Sequence, residues 1–181
     1  MTSWTTECEN AVVVKRGSHS FPVTNETAGI AAAVDDDILP LGQVSSDADV
    51  QVRDWTGEQV PAHPGCTGLV VMAHWPEAQL ERYLARPLEA FNEHTVIDPA
   101  AIRERLATIR TRGYLWTTDE YARGVTSAAA PVRDSTGRAV GALHVFGPSY
   151  RFPGSADIDH LSSELCRRAE QISSVLRFHA Q

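Results

Sequence analysis

Residues 124–148, GVTSAAAPVRDSTGRAVGALHVFGP, constrain this chain more than any other stretch. They read as two β segments of mostly small residues joined by the turn Asp134-Ser135-Thr136-Gly137. Alternation along the second segment places Val140, Ala142, His144 and Phe146 on one face and Ala139, Gly141, Leu143 and Val145 on the other. Both faces are mostly apolar, so the sheet needs helices on one side and further protein, or an enclosed molecule, on the other. In the first segment Ser127 and Ala129 share a face, while Thr126, Ala128 and Ala130 take the opposite one. Small side chains leave room above a sheet. His144, the one polar side chain in an apolar strand beside that room, fits a small-molecule pocket with few polar groups.

A chain of 181 residues is one domain, or one domain with an arm, and is long enough to bury a core without covalent staples. The three cysteines, Cys8, Cys66 and Cys166, are odd in number and form no CxxC pair, which argues against a disulfide framework and for a reducing, cytoplasmic setting. No apolar run approaches a membrane span, and the first residues lack the basic and apolar regions of a signal peptide. The net charge of −7 argues against the basic face that grips a phosphate backbone, and no direct nucleic-acid binding and no membrane partner are expected.

Along the chain, residues 11–15 (AVVVK) look like a short strand and 17–20 a turn. Residues 29–34 and 38–44 flank Asp35-Asp36-Asp37 and read as a hairpin with an acidic, solvated turn. Val50 and Val52 suggest a further strand ending at Trp55-Thr56-Gly57. The loop from Val60 to Gly68 runs into the apolar 69–73 and looks like a helix N-terminus. Its glycines either leave backbone N–H groups free for an anion or permit close packing of helix on sheet. Pro76 is expected at the first helical position before 77–86. Asp98 caps a helix bearing Ile102, Leu106 and Ile109 and closed by Gly113. From about 157 to 178 one apolar stripe runs Ile158, Leu161, Leu165, Ala169, Ile172, Val175 and Leu176.

From about residue 24 to 176 the ordered motifs resemble the effector-binding domain of IclR-type transcriptional regulators. They are Glu26-Thr27, Gly57 with Val60-Pro61-Ala62-His63, Gly68, Trp75-Pro76-Glu77, the run from Ile109 to Tyr114, Asp119-Glu120, Gly124-Val125, Ala129-Ala130-Pro131-Val132 and Gly147-Pro148. The resemblance implies an α/β (α+β) fold, a GAF-like antiparallel sheet with helices packed on it and a small-molecule pocket. It divides the chain into an N-terminal arm, 1–23, and the domain, 24–181. It implies a ligand-binding pocket lined by Gly65, Cys66, Thr67, Ser127, His144 and Phe146, with Thr118 and Asp119 at its edge, and a homo-oligomer. Two departures stand out. The arm is too short and strand-like for the family's winged helix-turn-helix, which leads us to expect a standalone domain without a DNA-binding unit. Leu69 stands where the family usually has Lys, and His144 and Phe146 where sensors of small 2-oxo acids carry Ser.

Each candidate residue has a second reading. His144 suits a ligand hydrogen bond, a general base or a metal ligand, and equally a satisfied core histidine. Cys66 beside a helix start forms a nucleophilic pair with His144 or His63 if exposed, and is a small hydrophobe if buried. His63, Cys66 and His144 have zinc-ligand character but no fourth partner, so neither a metal nor a cofactor is expected. Asp119 and Glu120 suit acid/base carboxylates, and read more simply as loop charges or partners for Arg110 and Arg112; Trp4, Trp55, Trp75 and Trp116 read as packing or interface residues. The leading functional expectation is a domain that binds a small carboxylate-bearing or aromatic metabolite. The alternatives are an enzyme using the same pocket for isomerisation, cyclisation or hydrolysis, with catalytic His144, Ser127 and Cys66, and a purely structural or partner-binding role.

Overall fold

The computed structural model describes residue 24, residues 26–45 and residues 48–179. The strand expected at 11–15, the turn at 17–20, Trp4 and Cys8 lie outside the described residues. Six antiparallel strands form one sheet: β1 (Thr27–Val34), β2 (Asp37–Val44), β3 (Val60–Pro61), β4 (Leu115–Thr118), β5 (Val125–Arg133) and β6 (Ala139–Pro148), in the order β3-β2-β1-β6-β5-β4. The helices are α1 (Cys66–Met72), α2 (Glu77–Leu84), α3 (Pro99–Arg112) and α4 (Ile158–His179). Both faces of the sheet are covered: α1, α2 and α3 build one core against Ala31, Ala129 and Ala142, and α4 builds the other against Ala128, Ala130, Leu143 and Val145. The α+β architecture expected from the motifs, an antiparallel sheet with helices packed on it, is therefore the observed one.

Local chemistry fixes most element ends. Asp37 opens β2 after a two-residue acidic turn in which Asp35 adopts φ 54°, and Asp36 is held by Arg82 and Arg86. Asp98 accepts from the Ala101 N–H at 2.9 Å, Pro99 opens α3, and Gly113 closes it at φ 82°. Pro76 is the residue that caps α2, with extended ψ 142°, rather than its first helical residue.

Three expectations are corrected. Val50 and Val52 belong to no strand; this segment is irregular and turns at Gly57, whose N–H donates to the Pro40 carbonyl at 2.9 Å. Strict alternation fails at Val140, where a bulge opposes Val132 and Arg133 to Gly141 and Ala139. Ala139 consequently joins the α1–α3 core, and Val140 packs on the α4 side. On α4, Leu161, Leu165, Ala169 and Ile172 are buried, but Ile158 and Val175 at the ends of the stripe are exposed.

The small residues of β5 and β6 set the spacing between sheet and helices. Gly68 has the tightest fit: a Cβ there would lie 2.0 Å from the Ala62 carbonyl oxygen. Close packing of α1 on the backbone of the 62–65 loop is therefore what this glycine provides.

Candidate functional site

A cavity of about 110 Å³ lies between the start of α1 and the α1-facing side of the sheet. Its floor follows from register. Gly29 pairs with His144 on one side and Ala129 pairs with it on the other, so the imidazole lies between two strands that put almost no side chain beside it. A Cβ on Gly29 would come within 2.5 Å of His144 Nε2, which shows the ring lying over the glycine. Ser127 pairs with Phe146 and Thr117 with Ser127, extending the floor toward β4. Gly65, Cys66, Thr67 and Gly68 form the opposing wall, and Ile38, Pro40, Val60 and Pro61 close the β2–β3 side.

The mouth is aromatic. Trp55 meets Phe146 edge-on at 5.7 Å between ring centroids and Tyr121 at 5.9 Å, and Tyr121 packs on Phe91 at 5.1 Å. Tyr121 is carried by a tight turn: Asp119, at φ 64°, accepts from the Gly124 N–H at 2.7 Å, and Glu120 is clamped by Arg105 at 2.5 and 2.9 Å. The Glu120 carbonyl also accepts from Thr95 Oγ1 at 2.7 Å and Asn92 Nδ2 at 3.3 Å.

The structure thus brings Gly65, Cys66, Thr67, Ser127, His144 and Phe146 to one cavity. Thr118 and Asp119 do not line it. Thr118 pairs with Thr126 on the opposite face, its Oγ1 3.1 Å from the Thr126 Oγ1, and Asp119 serves the turn. The partners suggested for Glu120 are also corrected, since Arg105 holds it and Arg110 donates to the Ala73 carbonyl at 2.7 Å. Trp55, Thr117, Glu120 and Tyr121 line the cavity without having been identified from sequence as binding residues. Alternation in 115–118 was the available signal for Thr117. Nothing local marks Trp55 or Tyr121, which reach the site from separate loops.

The polar groups divide into two sets. Cys66 Sγ donates to Ser127 Oγ at 3.2 Å, and Ser127 shares a 2.9 Å hydrogen bond with Thr117. These three satisfy one another, and burial pushes the Cys66 thiol up from its ordinary value, so it stays a neutral, weakly reactive group. His144 is different. Its Nδ1 is buried with no hydrogen-bond partner, and no hydrogen bond joins the ring to Ser127 or Cys66 among the described residues. His63, by contrast, is structural: one ring nitrogen lies 2.9 Å from the Tyr83 hydroxyl and the other 2.8 Å from the Glu89 carbonyl. Among the described residues no three His, Cys, Asp or Glu side chains form a metal-binding group.

Burial alone pulls the His144 ring down to about 4. Burial, then the nearby Arg133 and Arg110 charges, do the same to His74, which lies 3.0 Å from an Arg133 guanidinium nitrogen. In the unfolded chain both titrate near about 6.5. Between about pH 4 and 6.5 the unfolded state therefore binds more protons, and stability falls as pH is lowered through that window. The loss is at most about 1.4 kcal/mol per pH unit for each ring, less for the half-buried His74. Urea titrations at pH 7 and pH 5 measure it; equal midpoints would mean that neither ring is kept neutral by the fold.

Comparison with known proteins agrees with this architecture. The family Bacterial transcriptional regulator IclR C-terminal matches residues 22–174. The HTH-type transcriptional regulator BhcR of Paracoccus denitrificans is 32% identical over 152 residues, covering 83% of this chain and 54% of that protein. Thermotoga maritima IclR superposes with a TM-score of 0.82 at 22% identity, covering 97% of this chain and 69% of that one. The inducer-binding domain of PobR from Acinetobacter, solved as a double mutant in complex with 3-hydroxybenzoic acid, gives 0.74 at 24% identity, covering 84% and 90%. This chain spans about half the length of the curated relatives it matches. No helix among the described residues is long and apolar enough to cross a membrane. With the family match covering most of the chain and the sheet, helices and cavity all in place, the chain belongs to the IclR family of bacterial transcriptional regulators, as a copy of its C-terminal domain.

Proposed function

We propose that the cavity is an effector site and that this domain binds a small metabolite to regulate transcription. The observation that carries the reading is His144: a buried imidazole, its Nδ1 without a hydrogen-bond partner among the described residues, on the floor of an apolar cavity ringed by Trp55, Tyr121 and Phe146. A buried polar group without a partner costs about 1–3 kcal/mol, and a ligand hydrogen bond recovers that cost. The size favours a compact ligand: at about 110 Å³ the cavity is somewhat smaller than the roughly 150 Å³ apolar cavity that takes up a benzene ring. PobR, a related regulator, was solved with a single-ring molecule. Self-association, expected from the resemblance, belongs to the same reading.

The test is to plug the cavity. Gly65 has extended backbone, φ −147° and ψ 163°, which any residue adopts, and a Cβ there meets only the Tyr121 Cβ at 3.8 Å. Gly65→Leu is therefore expected to fold and to fill the space. A panel of single-ring compounds is expected to contain members that raise the melting temperature of the parent, by an amount equivalent to about 2.7 kcal/mol at a hundredfold excess over Kd. The same members are expected to leave Gly65→Leu unmoved. Equal shifts in both proteins would place binding elsewhere.

A further inference from the structure

A second concave region adjoins the aromatic mouth. It is a surface groove of about 640 Å³, and among the described residues Trp55, Tyr121, Ala122 and Val125 line both it and the inner cavity. The partition between the two spaces is thus one residue thick, and Ala122 is the smallest side chain in it. From the floor outward, rings succeed one another: His144 to Phe146 at 5.6 Å between centroids, Phe146 to Trp55 at 5.7 Å, Trp55 to Tyr121 at 5.9 Å and Tyr121 to Phe91 at 5.1 Å. His144 and Phe146 line the inner cavity, and Phe91 lines the groove, so this row of rings joins the two.

Two observations call for a ligand that reaches beyond the inner cavity. The inner space, about 110 Å³, holds less than a benzene ring needs, yet it contains the buried imidazole nitrogen that a ligand's polar group would satisfy. The groove gathers large apolar side chains at the surface, with Tyr150 73% exposed, Val50 57% and Phe91 36%, and a concave apolar patch of this kind marks a binding site. Its rim is polar, Arg53 pairing with Glu58 and Arg123 with Glu93. The shared wall is also preorganised, because the turn that carries Tyr121 and Ala122 is held by the Asp119 hydrogen bond to the Gly124 N–H and by the Arg105 clamp on Glu120. Walls built of rings favour another ring, since aromatic pairs gain stabilisation beyond the area they bury.

We propose that the groove is an outer subsite of the same site and that the ligand is an arylalkyl compound: a small polar head hydrogen-bonded to His144, a short methylene linker passing Ala122, and an aromatic ring lying in the groove among Trp55, Phe91 and Tyr150. The inference rests on the effector-site reading above and extends it from the head of the ligand to its tail.

Calorimetric titrations of the full chain with benzoate, 3-phenylpropanoate and 4-phenylbutanoate test the two compartments. Affinity is expected to rise at least about tenfold from benzoate to 4-phenylbutanoate, because the linker lets the ring pass from the inner space into the groove. 4-Cyclohexylbutanoate is more apolar but has no π face, and is expected to bind at least about threefold more weakly than its phenyl counterpart. Val50→Ser and Tyr150→Ser change exposed groove residues outside the inner cavity, and each is expected to weaken 4-phenylbutanoate at least about threefold while leaving benzoate affinity unchanged. A flat series, a cyclohexyl compound that binds as well as the phenyl one, or serine variants without effect overturns the outer subsite; benzoate binding that Gly65→Leu abolishes then leaves the effector site standing. A change in the sedimentation coefficient of either serine variant makes the groove a contact between copies of the chain and likewise overturns the proposal. If no compound of the series at millimolar concentration gives heat or shifts the melting temperature, the effector-site reading falls and this inference falls with it.

Discussion

Gly68→Ala is expected to disrupt the packing of α1 and to lower stability by about 3 kcal/mol or more, roughly a 10 °C fall in melting temperature for a chain of this size. Local propensity points the other way. Within an isolated helix alanine is preferred over glycine by about 1 kcal/mol, so secondary structure alone predicts a gain. The tertiary contact decides the sign, because the added methyl would lie 2.0 Å from the Ala62 oxygen and 2.5 Å from its carbonyl carbon. The obstacle is backbone, not the end of a flexible side chain, so α1 must lift away from Ala62 in the loop that precedes it. Lifting it also displaces Gly65, Cys66 and Thr67 from the cavity wall. Gly42→Ala is the control, since nothing lies within 4 Å of a Cβ there. Thermal melts followed by circular dichroism separate the two, and a Gly68→Ala melt at or above the parent would contradict the packing account.

His144→Leu is expected to weaken binding of a single-ring probe at least about tenfold, while the unligated domain is as stable as the parent or gains about 1 kcal/mol. The asymmetry follows from the hydrogen-bond inventory. A structural histidine leaves a protein partner unsatisfied when removed, but His144 Nδ1 has no such partner to abandon among the described residues. Leucine has a similar bulk, retains contact with Phe146 and removes a buried polar atom. Titration and melting on the same sample read the two effects separately. A steep loss of stability with affinity intact would make His144 a core residue and move the site away from it. The corresponding change below the ring, Gly29→Ala, presses a methyl against Nε2 and alters affinity through the position of the ring.

Much of the architecture was legible from short-range signals. The turns at 35–36 and 134–137 and the cap at Asp98 with its stop at Gly113 depend on backbone chemistry within a few residues. So does the buried run of α4, which shows a single 3.6-residue period. Alternation with small residues placed Ser127, Ala129, His144 and Phe146 on one face, because strand period is two wherever the ladder is regular. The same rule failed at Val140, where a bulge adds a residue that no local pattern announces. It was not applied to 115–118, where it selects Thr117 over Thr118.

The sequence by itself determined the family, the β1–β2 and β5–β6 hairpins with the four helices, and the sheet face on which a cavity stands. Each rests on interactions between near neighbours or on motif order, and these are written in the chain directly. Only the tertiary structure decided what encloses the cavity and what charge it presents. Trp55 and Tyr121 come from loops 66 residues apart, and Arg105 reaches Glu120 from a different element to cancel the carboxylate in the wall. Such pairings are set by how helices and loops pack on the sheet, through contacts between segments distant in sequence, and no periodicity in either segment encodes its partner.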